Sequence, residues 1–258
     1  MSADRGPTGP VTALDLVVEF DSRWRVGTGT TRSGVVDDET WADADRHLTI
    51  PASHLKRRLR ERGEWLARLL GLAICSGRLA GNDPEVVQAP RRERRATQRQ
   101  PTCVDRDPSA PCLTCRMFGA PRVEPGWQFR RGRLQLPSST ESAEALRAGE
   151  RLRLVHNRVD PWARRTAEDL LFALEAGRPG LRFEARCEYL AGAAAPPDEA
   201  ALLVGAVGAL EALGARTRRG YGRCHAWVAG RPGGLDHDGW VKYLIDQVAP
   251  SMAAGVDR

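Results

Sequence analysis

Two periodicities alternate along this chain. Over residues 11–21, Leu14, Leu16, Val18 and Phe20 fall at every second position, with Asp15, Glu19 and Asp21 on the other side. A strand sends successive side chains to opposite faces, so this segment reads as a half-buried strand. Residues 181–190 repeat the pattern more strictly, with Leu181, Phe183, Ala185, Cys187 and Tyr189 set against Arg182, Glu184, Arg186 and Glu188. Residues 150–160 alternate Leu152, Leu154 and His156 with Arg151, Arg153 and Val155. Residues 132–136 form a short strand, and 221–228 a last one. From Pro51 the period lengthens. Leu55, Leu59, Leu66, Leu69 and Leu70 recur near helical spacing and are expected to face a core across 52–72. Asp198 caps a second helix over 198–213, with Leu202, Ala206, Leu210 and Leu213 on one face and Gly214 as the residue after its end. Ser138 and Glu141 make a capping box for a short helix through Arg147. Trp240, Leu244 and Val248 mark a C-terminal helix, 236–250. Segment 161–180 carries no assignable period.

In order, the core elements are strand, helix, strand, strand, helix, strand. This β-α-β-β-α-β sequence predicts an α+β fold with a ferredoxin-like or RRM-like core and large insertions. The expected organisation is a single domain over 1–258, with core elements in about 11–72, 132–136 and 181–228 and an insertion at 76–131.

Composition changes the picture in three ways. The net charge is +6 and the pI about 9.3, which favours a polyanionic partner. The basic residues are almost all arginine, Lys56 and Lys242 being the only lysines. Second, no apolar run reaches the roughly 18 residues of a membrane span, and Met1–Pro10 is polar and lacks a signal-peptide core. A cytoplasmic protein is expected. Third, six cysteines in such a compartment read as metal ligands or core residues, not disulfides. Cys187 and Cys224 fall on predicted strands and read as core.

Candidate chemistry gathers in four places. Gly214-Ala-Arg-Thr-Arg-Arg-Gly-Tyr-Gly-Arg-Cys224 joins a helix to a strand. Its glycines permit positive φ and close backbone approach, and its amides can form an anion-binding concavity. Arg216, Arg218 and Arg219 suit phosphate, Gly220 suits the turn, and Tyr221 offers a ring for stacking. The alternative is a solvated helix-capping turn. Lys56, Arg57 and Arg60 occupy the first turns of the first helix, where its dipole disfavours cations. With Ser53 and the free amides they point to an external anion, or else to a solvated basic face. Asp37, Asp38 and Glu39 follow a glycine- and hydroxyl-rich loop and read either as a solvated turn or as metal-binding or acid–base carboxylates. Finally, Cys103 precedes Cys112-Leu-Thr-Cys115 inside the arginine-rich, irregular insertion. This is an incomplete zinc signature with Cys75 as the provisional fourth ligand and His47, His54 and His156 as weaker choices. A thioredoxin-type redox pair is disfavoured, since Cys112 is not expected to open a helix after a strand.

Several of these segments together resemble one family. Gly214–Cys224 resembles the glycine-rich loop of the RAMP superfamily of CRISPR-associated proteins. Ile50-Pro-Ala-Ser-His-Leu-Lys-Arg-Arg-Leu-Arg60 and Cys112-Leu-Thr-Cys-Arg-Met-Phe-Gly119 resemble motifs of its Cas7 branch. Val155-His-Asn-Arg-Val-Asp160 resembles the start of that branch's thumb hairpin, here about 155–180. Gly34-Val-Val-Asp37 resembles the catalytic loop of type III backbone subunits of the Csm3 and Cmr4 kind. The resemblance implies a Cas7-like palm, a thumb hairpin and a zinc-containing insertion. It implies a filament of such subunits on a CRISPR guide RNA (crRNA), pairing with target RNA and assembling with Cas10-, Cas5- and Cas11-like subunits. Asp37 takes the catalytic position for Mg²⁺- or Mn²⁺-dependent endoribonuclease cleavage of the target. Asp38 and Glu39 stand beside it. Arg25 stands where members often carry histidine, and a guanidinium there can still bind phosphate. Ala52, His54 and Arg57 depart from the helix motif. Two other readings stand beside it: a non-catalytic guide-binding subunit on the same scaffold, and a metal-independent Cas6-like guide-processing endoribonuclease, which shares the glycine-rich loop. The second does not account for the cysteine motif or for Ser53 and Lys56.

Overall fold

A computed structural model describes residues 6–29, 36–72, 74, 111–120, 122–136, 149–160 and 165–250; for 158–160 and 165–171 it describes the backbone alone. Strands β1 (Ala13–Phe20), β2 (Thr49–Ile50), β3 (Trp127–Phe129), β4 (Gly132–Leu134), β7 (Arg182–Tyr189) and β8 (Cys224–Val228) make one sheet. Strands β5 (Arg151–Asp160) and β6 (Arg165–Gly177) make a separate two-stranded hairpin. The helices are α1 (Ala52–Leu69), α2 (Leu113–Phe118), α3 (Pro197–Gly208) and α4 (His237–Tyr243).

In the sheet the order is β2-β4-β7-β1-β8, with β3 also on β7, and every pair is antiparallel. With β4 as the second core strand, this is the order of the split β-α-β unit, so the α+β expectation holds. The alternation explains the register. Leu14, Leu16, Val18 and Phe20 of β1 are all within 1% of complete burial, and Phe183 and Cys187 of β7 face the same side. Burial of one face fixes the pairing, because a one-residue slip would turn every apolar side chain to water. Phe20 stacks on Trp24 at 4.5 Å between ring centroids, and Phe183 meets Trp24 edge-on at 5.0 Å.

Helix α1 buries Leu55, Leu59 and Ala67. Leu69, the last helical residue, was expected on the same face but is 67% exposed among the described residues. Helix α3 is buried on all sides from Glu199 to Val207, the mark of a core helix. It ends at Gly208, not at Leu213. Leu210 and Leu213 are buried as expected, but from irregular backbone. Asp236 caps α4 by accepting the Gly239 N–H at 2.9 Å, and Trp240, Leu244 and Val248 are buried as the pattern predicts. The unassigned segment 161–180 contains β6. Helix α2 was not foreseen; Cys112 is its N-cap residue. The predicted helix at 138–147 and most of the insertion at 76–131 lie outside the described residues. Among the described residues, no helix is long and apolar enough to cross a membrane.

Candidate nucleic-acid interface

The glycine-rich segment is a pinned loop with an open tip. Leu213 N–H donates to Gly222 O at 2.8 Å, Ala215 N–H to Arg25 O at 2.7 Å, and Gly222 N–H to Arg23 O at 2.7 Å. Two glycines are required at this base. Gly214 has φ +113°, and a Cβ there would stand 2.4 Å from Arg25 O. Gly222 has φ +73°, and a Cβ would stand 2.1 Å from Leu213 O. Both conformations and both contacts exclude a side chain. Gly214 is thus a close-approach residue of the loop base and not the cap of α3, which ends earlier. Beyond the base, Arg216 is left-handed at φ 61°, Thr217–Arg219 form one 3-10 turn, and Gly220 is again left-handed. Arg218, Arg219 and Gly220 are exposed, and Tyr221 is half-buried. No ion pair joins Arg216, Arg218 or Arg219 to a described carboxylate. The Arg216 guanidinium carbon lies 5.7 Å from the Phe172 ring centroid on β6, within cation–π range. Arg58 Nη2 donates to Gly214 O at 3.2 Å, tying α1 to the loop.

The acidic segment is fixed against the hairpin and is not the solvated turn that one of its sequence readings offered. Asp37 N–H donates to Ala173 O at 3.0 Å, and Ala173 N–H donates back to Asp37 Oδ2 at 2.6 Å. Asp38 bridges Leu174 in parallel, and Glu175 N–H donates to Asp38 O at 3.1 Å. Residues 37–40 therefore extend the two-stranded hairpin along β6. Their carboxylates differ. Asp38 Oδ1 pairs with Arg25 Nη2. Arg25 is only 3% exposed, so the expected open phosphate donor is instead a buried partner of Asp38. Glu39 lies 3.9 Å from Arg46. Asp37 is exposed, and no described cation pairs with it. Gly34 and Val35 of its motif lie outside the described residues.

At the start of α1 there is no side-chain cap and no acidic residue in the first turn. Exposed Ser53 and half-buried Lys56 line a cleft of about 490 Å³ with Trp127, Gln128, Phe129 and Leu190. Burial lowers the Lys56 pKa, and the neighbouring Arg60 lowers it further. Arg57 is exposed but engages Glu61 at 3.0 Å. Arg60 is engaged within the protein, with Nε on Glu64 at 2.7 Å and Nη1 on Gly119 O at 2.8 Å. This cleft includes none of the loop residues. The structure thus brings Arg25, Asp37 and Arg216 together around the hairpin root, and sets Ser53 and Lys56 in a cleft of their own.

Cys112 and Cys115 occupy the N-cap and third position of α2, three residues apart on a short helix, and Cys115 is fully buried. Cys75 and Cys103 lie outside the described residues. His47 is 3.8 Å from Glu150, and His156 stacks on Phe172 at 5.5 Å. His54 sits on α1 with its pKa lowered by burial, then by Arg58 and Arg57. Among the described residues, no three His, Cys, Asp or Glu side chains form a metal-binding group.

Sequence reasoning missed Arg58, Phe172, Ala173 and Glu175. A signal for the last was present: a carboxylate inside the apolar run Phe172-Ala-Leu-Glu-Ala176 needs a buried partner. Arg58 had none, being one arginine among neighbours.

Comparison with known proteins fits this geometry. No curated protein matches the sequence. A chain in the cryo-EM structure of type III-B Cmr-beta in its apo state shares the fold, with a TM-score of 0.50 at 11% identity. That match covers 84% of this chain and 97% of the other. The model of the RAMP superfamily matches residues 17–225, from within β1 to within β8 and through both the acidic segment and the glycine-rich loop, and the chain belongs to the RAMP superfamily.

Proposed function

We propose that this protein is a guide-RNA-binding backbone subunit of a type III CRISPR effector complex and cleaves the complementary target RNA. The observation that carries the reading is the placement of Asp37. It is the exposed carboxylate of its cluster, held by β6 beside a loop whose arginines have no described carboxylate partner. Arg218 and Arg219 would contact guide phosphates, with Ser53, Lys56 and Arg57 at the start of α1, and Tyr221 would offer a stacking face. The β5–β6 hairpin would act as the thumb that distorts the guide–target duplex. Partners of this chain would be crRNA, target RNA, further copies of itself and Cas10-, Cas5- and Cas11-like subunits.

Asp37 suits a hard divalent cation. A carboxylate beside a polyanion is repulsive, and Mg²⁺ or Mn²⁺ is commonly held by one or two carboxylates together with phosphate oxygens. Such an ion would supply charge neutralisation at the scissile phosphate. The chain's own part is positional. Ala173 N–H fixes one carboxylate oxygen, and Arg25 takes the charge of Asp38 and leaves Asp37 as the acidic group facing RNA. For zinc, Cys112 and Cys115 on α2 would supply two thiolate ligands, and Cys75 and Cys103 would supply the other two.

A second reading is favoured by one contact: the Ala173 hydrogen bond would also suit Asp37 as a purely structural anchor in a non-catalytic subunit. Asp37→Asn separates the two, because its amide oxygen still accepts from Ala173 while the charge is gone. On the assembled guide complex, Asp37→Asn should slow target cleavage by about a thousandfold or more with RNA affinity unchanged, and EDTA should do the same to wild type. Full cleavage by Asp37→Asn would establish the structural reading.

A further inference from the structure

Three ionisable groups that the proposed chemistry does not use converge at the hairpin root. Glu175 on β6 is 9% exposed. Its Oε2 accepts the Thr40 N–H at 3.0 Å and pairs with Arg151 Nη1 at 2.9 Å. Its backbone oxygen accepts the Thr40 hydroxyl at 2.8 Å. Arg151, the first residue of β5, also donates to Arg46 O and lies 3.3 Å from the carboxylate of Glu150. Glu150 is 2% exposed and accepts the Leu48 N–H at 3.2 Å. Both ends of the hairpin root are thereby tied to the chain on either side of Trp41.

The acidic segment needs such a tie. Thr40 bridges Gly27 on its other edge, with Trp41 N–H donating to Val26 O at 2.9 Å, but its pairing with β6 itself is a single parallel bridge flanked by few backbone hydrogen bonds, and a pairing this short specifies the register on β6 weakly. A slip of two residues would keep the same face toward β6 but move Asp37 by about 6.6 Å. Glu175 reaches across from a fixed place on β6 to one backbone amide of the segment. Arg151 holds that carboxylate from the other side.

We propose that Glu175, braced by Arg151, is the positioning residue of this site: it sets the register of residues 37–40 on β6 and so the place of Asp37. The consequence for cleavage rests on the Asp37 reading; the register itself does not. Hydrogen exchange on the full-length protein tests the register directly, with Glu175→Ala and Glu175→Gln as variants. In Glu175→Ala the peptide 36–42 should exchange about tenfold faster or more, while β1 and β7 keep their rates. Glu175→Gln retains an acceptor for Thr40 N–H but not the charge facing Arg151, and should fall between. It also decides the question where Glu175→Ala fails to fold. In the guide complex, Glu175→Ala should cut target RNA more slowly and at scattered positions with affinity unchanged. Unaltered exchange at 36–42 in both variants, or equal acceleration throughout the protein, would overturn the proposal. The expected exchange changes in both variants, together with a wild-type complex that cleaves nothing, would remove the Asp37 chemistry and still support the register role.

Discussion

The solvent face of the sheet and the tip of the glycine-rich loop are both rich in arginine, but on the sheet Arg130, Arg182 and Arg186 are each engaged by a carboxylate. On the sheet, Arg186 meets Asp15 at 2.9 Å, Arg182 meets Glu19 at 2.8 Å, and Arg130 meets Glu188 at 2.8 Å. The register sets the first two of these pairs, since Asp15 lies opposite Arg186 and Glu19 opposite Arg182 across β1 and β7. Arg182 also lies 5.2 Å from the Trp227 ring centroid on β8. At the loop tip, Arg218 and Arg219 are exposed and have no described carboxylate partner. A count of arginines therefore says little about where an RNA would bind. What matters is whether a carboxylate stands at the cross-strand position, because a neutralised pair releases no counterions from RNA.

The largest effect should come from removing the unpaired set. Arg216→Ala, Arg218→Ala and Arg219→Ala together should weaken guide-RNA binding on the order of 100-fold at low salt, across all guide sequences. The slope of log affinity against log salt should fall by about 2, at roughly 0.7 per phosphate contact on a single strand. Filter binding over a salt series reads both. Loss confined to particular guides would place base recognition, not phosphate contact, at this loop.

Two paired carboxylates sharpen the comparison. Glu188 lies on the open face, and its hydrogen bond with Arg130 is the leading cause holding its pKa below the ordinary value. Glu199 also has an arginine, Arg116 at 3.3 Å, yet its pKa is pushed up to about 7. Burial is the leading cause and outweighs the lowering by Arg116; Asp198 raises it further. The Trp127 indole lies close enough to lower it slightly but completes no hydrogen bond, since Nε1 and Glu199 Oε2 are both buried without a partner among the described residues. The folded pKa lies above the unfolded one, so the folded state binds the extra proton. Its stabilisation is present in full below the unfolded pKa and is lost as pH rises through about 7. Glu199→Gln should therefore raise Tm at pH 8, by up to about 3 kcal/mol in stability, and the gain should shrink toward pH 5. A Tm difference that does not vary with pH would show that Glu199 remains charged when folded.

The sequence shows one-sided elements better than two-sided ones. Strand β7 was legible because water on one face forced strict alternation of Arg and Glu with apolar residues. The root of β6 was not. Ala173, Leu174, Glu175, Ala176 and Gly177 are all buried, with the acidic segment on one side and Trp24 bridging Gly177, so no period survives. The end of α3 was hidden for a similar reason: Leu210 and Leu213 continue the helical spacing after the helix has stopped. At the site, Asp37 and the glycine loop were marked by residue type. The fate of Arg25 was not, since only the fold brings Asp38 onto it.

The smallest effect should come from breaking the other half of the comparison. Asp15→Asn with Arg186→Gln removes one cation and one anion from the sheet face and leaves the net charge unchanged. Both side chains are more than half exposed, so water replaces the lost pair at little cost. The change is not wholly confined to the pair, because Arg186 also reaches Glu188 at 3.4 Å. Arg130 remains on Glu188, however, so the exchange leaves neither former partner of Arg186 as an unpaired carboxylate. Guide affinity and its salt slope should stay at wild-type values under conditions where the loop variants lose both. If this neutral exchange weakened RNA binding as the loop variants do, the sheet face would be part of the interface. RNA would then open the cross-strand pairs of the sheet face as it binds.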